Sequence, residues 1–201
     1  MIKLNLGCGA KVLDGWVNVD YSIGAKLAKY RIFNKLGFFN VQWDKRIFIH
    51  NLRLKFPWQN NSVDTVYSSH TLEHFDKREG LFFLKESHRV LKKGGILRII
   101  VPDLEEYVNW YTEGSIQADD FIDGLLVLNK KHKSFFKTLF DKFFSFPHRC
   151  MYDKKTLLRI FTEIGFDASI KDSFESNITD IKEIEIASRT NNAVIIEGIK
   201  L

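Results

Sequence analysis

Short apolar segments alternate with helix-like segments along the first hundred residues of the chain. Segments with the composition of strands lie at residues 2–6, 16–20, 46–52, 63–69 and 96–101. The last of these, ILRIIV, is rich in β-branched residues and ends at Pro102, which is typical of a strand buried inside a sheet. Strands that alternate with helices predict an α/β fold in which a mostly parallel sheet carries helices on both faces.

The pattern changes after Asp103. Residues 104–146 predict two or three successive helices with no strand between them, and we interpret residues 104–150 as a helical insertion. A helix at 153–164 and strands at 166–170 and 193–200 complete the pattern. A chain of 201 residues suits one domain, so we expect residues 1–201 to form a single unit.

Composition excludes several classes of protein. No apolar run approaches the ~20 residues of a membrane span, and Met-Ile-Lys leads directly into a strand, which predicts no signal peptide. The two cysteines, Cys8 and Cys150, form no Cys-x-x-Cys pair and suggest neither a disulfide framework nor a zinc site. A cytoplasmic protein is the simplest interpretation. The net charge of +5 is modest for a dedicated nucleic-acid binder.

A glycine turn and a carboxylate follow the first two predicted strands. The first strand ends in Gly7-Cys8-Gly9 and the second ends in Asp20. Glycine at such a turn lets a ligand approach the backbone closely, and a carboxylate on the next strand can accept hydrogen bonds from ribose hydroxyls. Taken together, these residues indicate a nucleoside site. The plainer alternative is an ordinary turn followed by a solvated strand end.

Two nucleoside ligands fit this arrangement, a dinucleotide and S-adenosylmethionine. The dinucleotide fingerprint requires Gly-x-Gly-x-x-Gly, and its third glycine position, counted from Gly7, is occupied by Val12. There is also little room between Gly9 and Trp16 for a long helix that could hold a pyrophosphate. The dinucleotide interpretation is therefore the weaker one.

Several longer segments resemble the class I S-adenosylmethionine-dependent methyltransferases. These are LNLGCG with Asp20, SVDTVYSSHTLEHF, and HRVLKKGGILRIIVPDLEEYV. The segments HRCMYDKKTLLRIFTEIGF and SRTNNAVIIEGIK narrow the resemblance to bacterial methyltransferases associated with cell-surface polysaccharide synthesis. The resemblance covers residues 2–200 and implies a Rossmann-like fold, S-adenosylmethionine as cofactor and S-adenosylhomocysteine as product. It also implies methylation, with oxygen the expected acceptor atom, of a sugar, glycan or other small molecule, free or linked to a nucleotide or a lipid.

The resemblance carries cofactor-binding roles onto named positions. They are Leu6, Gly7, Cys8 and Gly9 in the turn, Asp20 and Tyr21 after the second strand, Asn51 and Leu52 after the third, and Ser68, Ser69 and His70 at the end of the fourth. Asn51 stands where the superfamily commonly places an acidic residue against the adenine amino group. Its carbonyl can accept the same hydrogen bond without charge assistance, so a lower cofactor affinity is expected.

Methyl transfer to a hydroxyl requires a group that accepts the hydroxyl proton. An imidazole suits this task, and two of the six histidines are candidates: His70 at a strand end and His148 at the exit of the insertion. Asp103, just beyond the fifth strand, is a third. Glu73 and His74 are interpreted as helix-start residues with a structural capping role. The spacing of ligand-type residues shows no compact metal cluster, so no metal is predicted.

Residues 130–147 carry phenylalanines at helical spacing with lysines between them. The plain interpretation is a helix that packs on its own domain, and the alternative is a basic amphipathic helix that contacts a membrane surface. Two rival functions also remain. One is an NAD-dependent nucleotide-sugar enzyme, which the absent third glycine and the lack of a Tyr-x-x-x-Lys pair oppose. The other is a non-catalytic relative that keeps the fold as a scaffold. The sequence does not indicate an oligomeric state.

Overall fold

The structure, a computed structural model, describes residues 1–28, 43–128 and 146–201. These residues form a seven-stranded sheet in the order β3-β2-β1-β4-β5-β7-β6. The strands are β1 (Lys3–Leu6), β2 (Val17–Asp20), β3 (Phe48–Ile49), β4 (Val63–Ser69), β5 (Leu91–Pro102), β6 (Phe166–Ile170) and β7 (Ala193–Lys200). Strands β1 to β5 pair in parallel, whereas β7 is antiparallel to both of its neighbours. The predicted Rossmann-like α/β fold is confirmed.

Six α-helices are described, and two 3₁₀ turns accompany them. The helices are α1 (Ile23–Ala28), α2 (Lys77–Val90), α3 (Leu104–Thr112), α4 (Ala118–Gly124), α5 (Lys154–Ile164) and α6 (Ile181–Ile184), and the 3₁₀ turns are Leu72–His74 and Ala187–Arg189. The segment 23–39 has apolar residues at helical spacing, and the structure describes it as far as Ala28. The predicted amphipathic helix at 130–147 lies almost entirely outside the described residues.

Two side chains explain why helix α2 begins where it does. The Asp76 carboxylate accepts hydrogen bonds from the backbone of Arg78 and Glu79, and the Glu79 side chain in turn accepts from the Asp76 backbone. This reciprocal pair satisfies donors that the first helical turn leaves free. Capping is therefore supplied by Asp76 and Glu79. The helix start predicted at Glu73 and His74 corresponds to the 3₁₀ turn Leu72–His74 that precedes this helix. The predicted capping role was wrong, because the side chains that cap the helix are those of Asp76 and Glu79.

Strand β5 starts earlier than its sequence predicts. Leu91 pairs with Val63, the register then shifts, and Ile96 pairs with Thr65. The segment 92–95, whose two lysines and two glycines are typical of a helix end, therefore belongs instead to an irregular part of the strand. The core lies between the central strands and helices α2 and α5, where Leu97, Phe83 and Phe161 are fully buried.

Strand β5 also carries a buried charge. Arg98 has no exposed surface, and its guanidinium contacts Glu185 after α6 and Glu197 on β7. These contacts connect the antiparallel end of the sheet to the segment that follows β6. None of the helices described is long and apolar enough to cross a membrane.

Candidate active site

A cavity of about 390 Å³ opens at the carboxyl edge of the parallel strands. Its walls come from the ends of β1, β2 and β4 and from the loop after β3. Of the residues predicted to bind a cofactor, those that line it are Gly7, Gly9, Asp20, Tyr21, Asn51, Leu52 and His70. Binding sites of open α/β sheets lie at this edge, because the strands and loops there present converging backbone and side-chain groups.

The glycine turn after β1 needs its glycines. Gly7 and Gly9 have φ values of 73° and 57°, in the left-handed region that favours glycine. The backbone amides of Gly7 and Cys8 both donate to the carbonyl of Val19, at 2.9 and 3.0 Å, which ties the turn to β2. A Cβ atom on Gly7 would collide with the Thr71 side chain, whose Cγ2 would lie 2.8 Å away. The turn therefore has no room for a side chain at this position.

Asp20 ends β2 and is 8% exposed. One carboxylate oxygen accepts from the Gly9 amide at 2.9 Å, and the other accepts from the Ser22 amide at 2.7 Å. Each oxygen makes one hydrogen bond to the chain and retains capacity for another. Because Asp20 also lines the cavity, this remaining capacity is available to a pair of hydroxyls.

Other predicted contacts lie behind the cavity wall. Leu6 and Ser68 are buried, and the Ser68 hydroxyl donates to the Leu6 carbonyl at 2.8 Å. Cys8 and Ser69 line a separate small recess. Burial, together with the nearby Asp20 carboxylate, raises the pKa of the Cys8 thiol to about 12, so this thiol stays protonated near neutral pH. At Leu6 and Cys8 it is the backbone of the turn, and not the side chain, that can serve a ligand.

The loop after β3 forms the opposite wall. Strand β3 contains only Phe48 and Ile49, which is shorter than predicted, so Asn51 and Leu52 lie in the turn that follows it. The Asn51 side-chain carbonyl accepts from the backbone of Arg53 at 3.1 Å. Arg53 and Phe75 also line the cavity, and sequence reasoning missed both. No sequence signal marked them, because their positions depend on how the loops after β3 and β4 meet.

His70 lies on the cavity wall in an unusual conformation. Its φ of 52° is in the left-handed region, where a non-glycine residue is uncommon. Its Nε2 lies 2.8 Å from the Arg189 carbonyl, and its Nδ1 lies 3.3 Å from Glu73 Oε1. Burial lowers the pKa of His70, but the Glu73 carboxylate and the Arg189 carbonyl outweigh that effect and raise the pKa overall. Both ring nitrogens therefore face acceptors, which favours an imidazolium and leaves neither lone pair for a substrate proton.

His148 does not line the cavity; His74 does. The backbone amides of Arg149 and Cys150 donate to the Glu73 carbonyl at 2.7 and 3.2 Å, which holds this segment against the turn after β4. The His148 ring is 8% exposed and lies 5.2 Å from the His74 ring, centre to centre. Burial lowers the pKa of His148, so its ring is uncharged near neutral pH.

Asp103 has a structural environment. Its carboxylate accepts from the Glu105 amide at 3.0 Å as the N-cap of α3, and it lies 3.7 Å from the Lys154 ammonium. Burial raises the pKa of Asp103, and the residue is not among those that line the cavity. The three predicted proton acceptors therefore occupy different places: His70 on the wall, His148 next to His74, and Asp103 at a helix start.

Comparison with known proteins agrees with this geometry. Residues 4–99, which contain the glycine turn, Asp20 and the whole of β4, match the family described as methyltransferase domain. This match covers 96 of the 201 residues of the chain. No curated protein sequence matches the chain.

Solved structures similar to the chain include methyltransferases. A S-adenosylmethionine-dependent methyltransferase from Archaeoglobus fulgidus has a TM-score of 0.53 and 16% identity, with 98% of this chain and 85% of that chain covered. A possible histamine N-methyltransferase from Thermotoga maritima has a TM-score of 0.52 and 17% identity, with coverages of 100% and 82%. Magnesium protoporphyrin IX methyltransferase from Synechocystis, solved with bound S-adenosylhomocysteine, has a TM-score of 0.52 and 14% identity, with coverages of 100% and 74%.

At these identities the structural matches show the fold. With the domain match, they support a methyltransferase whose cofactor is S-adenosylmethionine. The residues present fit that cofactor, because the chain places a bare backbone turn and a buried carboxylate with free acceptor capacity on one cavity. The acceptor of the methyl group is a separate question.

Proposed function

We propose that this protein transfers the methyl group of S-adenosylmethionine to a hydroxyl of a sugar or another glycan-related small molecule, in cell-surface polysaccharide synthesis. The observation that carries the cofactor half of the proposal is the convergence of the Gly7–Gly9 turn and Asp20 on one cavity. The acceptor half rests on the resemblance of residues 148–166 and 188–200 to methyltransferases of that pathway class.

In this proposal each part of the cofactor contacts a different set of residues in the cavity. Asp20 accepts from the ribose hydroxyls, while the Gly7–Gly9 backbone lies against the methionine part. The adenine fits the side formed by Asn51, Leu52 and Phe75, where an apolar face lies beside a side-chain carbonyl. The sulfonium then faces the end of β4, and the acceptor enters on the side of His70 and His74.

The reaction is an in-line displacement. The acceptor oxygen forms a bond to the methyl carbon, the carbon–sulfur bond breaks, and its electron pair stays on sulfur in S-adenosylhomocysteine. The hydroxyl proton passes to a water molecule in the cavity, because both ring nitrogens of His70 already face acceptors. The protein contributes proximity and alignment, because the sulfonium already makes the methyl carbon electrophilic.

A calorimetric titration tests the cofactor half. Binding of S-adenosylmethionine and S-adenosylhomocysteine with no binding of NAD is expected, whereas preferential binding of NAD would replace the proposal with a dinucleotide enzyme. Methyl uptake from labelled cofactor onto a panel of nucleotide sugars and lipid-linked glycans tests the acceptor half. Tight cofactor binding with no transfer to any hydroxyl acceptor in the panel would favour the non-catalytic scaffold instead.

A further inference from the structure

Glu73 is a buried carboxylate that lacks ordinary partners. It has no exposed surface, and neither carboxylate oxygen has a hydrogen-bond partner among residues 1–28, 43–128 and 146–201. Its backbone is held by the amides of Arg149 and Cys150, so the side chain is not free to leave the interior. A buried carboxylate without hydrogen bonds costs several kcal/mol, and such a group normally has its charge balanced on both oxygens by cations or a metal.

Imidazoles surround this carboxylate. His148 Nε2 lies 4.0 Å from Glu73 Oε1, and one ligand-type atom from each of Glu73, His74 and His148 lies within 4.8 Å of the other two. His70 Nδ1 is closer, at 3.3 Å, but it reaches only Oε1 and leaves Oε2 without a partner in the part of the chain described. An ion pair with His70 therefore provides a partner for only one of the two carboxylate oxygens.

The surroundings fix these groups in place. His74 Nδ1 lies 3.4 Å from the carbonyl of Pro147, an arrangement that orients the ring as in many metal sites. Arg149, next to His148, makes ion pairs with Asp76 at 3.2 Å and Glu79 at 2.8 Å. The two histidines, from distant parts of the sequence, are thus held against the same carboxylate before any ligand arrives.

We propose that Glu73, His74 and His148 bind one divalent first-row transition metal ion, with Zn²⁺ or Co²⁺ the best match. Two imidazole nitrogens and one carboxylate oxygen are a ligand set of open zinc sites, whereas Mg²⁺ and Ca²⁺ prefer oxygen ligands alone. Metal–ligand bonds of about 2.0–2.2 Å would bring Glu73 and His148 closer together than their present 4.0 Å by less than an ångström. His74 lines the cavity, so a fourth position of the ion faces the acceptor side.

The site would also change how the acceptor is activated, and this consequence rests on the proposed function, whereas metal binding does not. An acceptor hydroxyl bound at the open position would lose its proton near neutral pH, because the ion stabilises the oxyanion. Such activation removes the need for a side-chain base on the cavity wall. His70, which faces two acceptors, and Asp103, which caps a helix, are both poorly placed for that task.

The test uses the full chain after treatment with a chelator and removal of the chelator. Zn²⁺ and Co²⁺ binding is measured by competition with a chromophoric chelator, with Mg²⁺ as the comparison ion. The protein is expected to bind one equivalent of Zn²⁺ or Co²⁺. Bound Co²⁺ should show the visible absorption of a four-coordinate site. Glu73→Gln and His148→Ala should each weaken metal binding by more than ~10²-fold. Removing a residue that only supports a ligand typically weakens binding by about 10–100-fold, so a larger loss identifies a ligand.

His88→Gln is the matched control, since His88 packs against Phe166 and is not a member of the cluster, and it should bind metal as the unchanged protein does. Failure of the unchanged protein to bind Zn²⁺ or Co²⁺ overturns the proposal, as does unchanged affinity in both ligand variants. If a variant does not fold, the Co²⁺ spectrum of the unchanged protein still tests the site, because it reports the metal coordination without any substitution. Titration with S-adenosylhomocysteine separates the two proposals: metal binding without cofactor binding rejects the proposed function and leaves the metal site standing.

Discussion

Two buried clusters of charge in this molecule differ in how completely their members are paired. In the first, the Arg98 guanidinium donates to Glu185 at 2.8 Å, to Glu197 at 3.3 Å, and to the backbone carbonyls of Glu175 and Asp172. Glu197 also accepts from the Asn177 amide at 3.0 Å. Every charged group in this cluster has a partner within the chain.

The second cluster surrounds Glu73. Here a fully buried carboxylate has no aligned hydrogen bond from any described residue, and His148 Nδ1 also has none. Buried polar groups in native proteins are almost always satisfied, so exceptions call for a reason such as a bound ion or a catalytic role. The contrast teaches that burial of charge does not mark function. What distinguishes the two clusters is whether the chain itself supplies the partners.

The largest effect is expected at Arg98. Arg98→Met should lower the free energy of unfolding by ~3–5 kcal/mol, because it leaves Glu185 and Glu197 as buried carboxylates without a counter-charge. Urea denaturation measures this loss. Arg159→Met is the control: Arg159 makes an exposed ion pair with Glu163 and should cost only ~0.3–0.5 kcal/mol. Equal losses in the two variants would show that the Arg98 cluster is not a structural element.

Asp20 is intermediate between the two clusters, since its carboxylate has one partner per oxygen and retains capacity for a ligand. Asp20→Ala should weaken S-adenosylhomocysteine binding by about 1.5–3 kcal/mol, or roughly 10–150-fold, the scale of hydrogen bonds to a charged group. Calorimetry on the folded variant measures the change. Asp14→Ala, at an exposed position in the same segment, should leave the affinity unaltered. Undiminished affinity in Asp20→Ala would mean that the ribose lies elsewhere.

The glycine turn tests the site without altering a charge. Gly7 and Gly15 have similar φ values, 73° and 78°, but only at Gly7 would a Cβ collide with another side chain, that of Thr71. Gly7→Ala should therefore add ~1–3 kcal/mol of overpacking strain and reduce S-adenosylhomocysteine affinity, whereas Gly15→Ala carries only the backbone cost. Isothermal titration of both variants checks this. If they bind the ligand equally well, close packing at Gly7 does not shape the site.

The sequence could predict those parts of the site that depend on local chain geometry. Gly7, Gly9 and Asp20 follow strands whose composition is legible, and the parallel sheet places the ends of neighbouring strands together. The length of β3 was not predictable, because its two residues owe their pairing to β2 and not to their own composition. Arg98 was likewise read as part of an apolar strand, since its partners come from segments more than seventy residues away.

The Glu73 cluster was missed for the same physical reason. Glu73 and His74 follow β4, whereas His148 lies more than seventy residues later in the sequence. The backbone amides of the two residues after it, Arg149 and Cys150, donate to the Glu73 carbonyl and hold His148 there. A search of the sequence for closely spaced ligand-type residues cannot find such a site, because its members come from two segments that are distant in the sequence. Only the fold brings the three side chains within 4.8 Å of one another.

The smallest change in stability is expected at Glu73. Glu73→Gln replaces a carboxylate that lacks aligned partners by a neutral amide of similar shape. It removes a buried charge that has no aligned hydrogen bond, and it loses the 3.3 Å ionic contact to His70. These two effects oppose each other, so in metal-free protein the free energy of unfolding should change by less than ~1 kcal/mol.

Glu197→Gln is the matched comparison, because it makes the same chemical change in the cluster where every charge is paired. There the amide loses charge-assisted hydrogen bonds from Arg98 and Asn177, and a loss of about 1.5–3 kcal/mol is expected. Urea denaturation of both variants after chelator treatment gives the two values under the same conditions. A cost at Glu73 as large as that at Glu197 would mean that the chain already satisfies Glu73. The difference between the clusters, and with it the reason to expect a metal ion at the second, would then disappear.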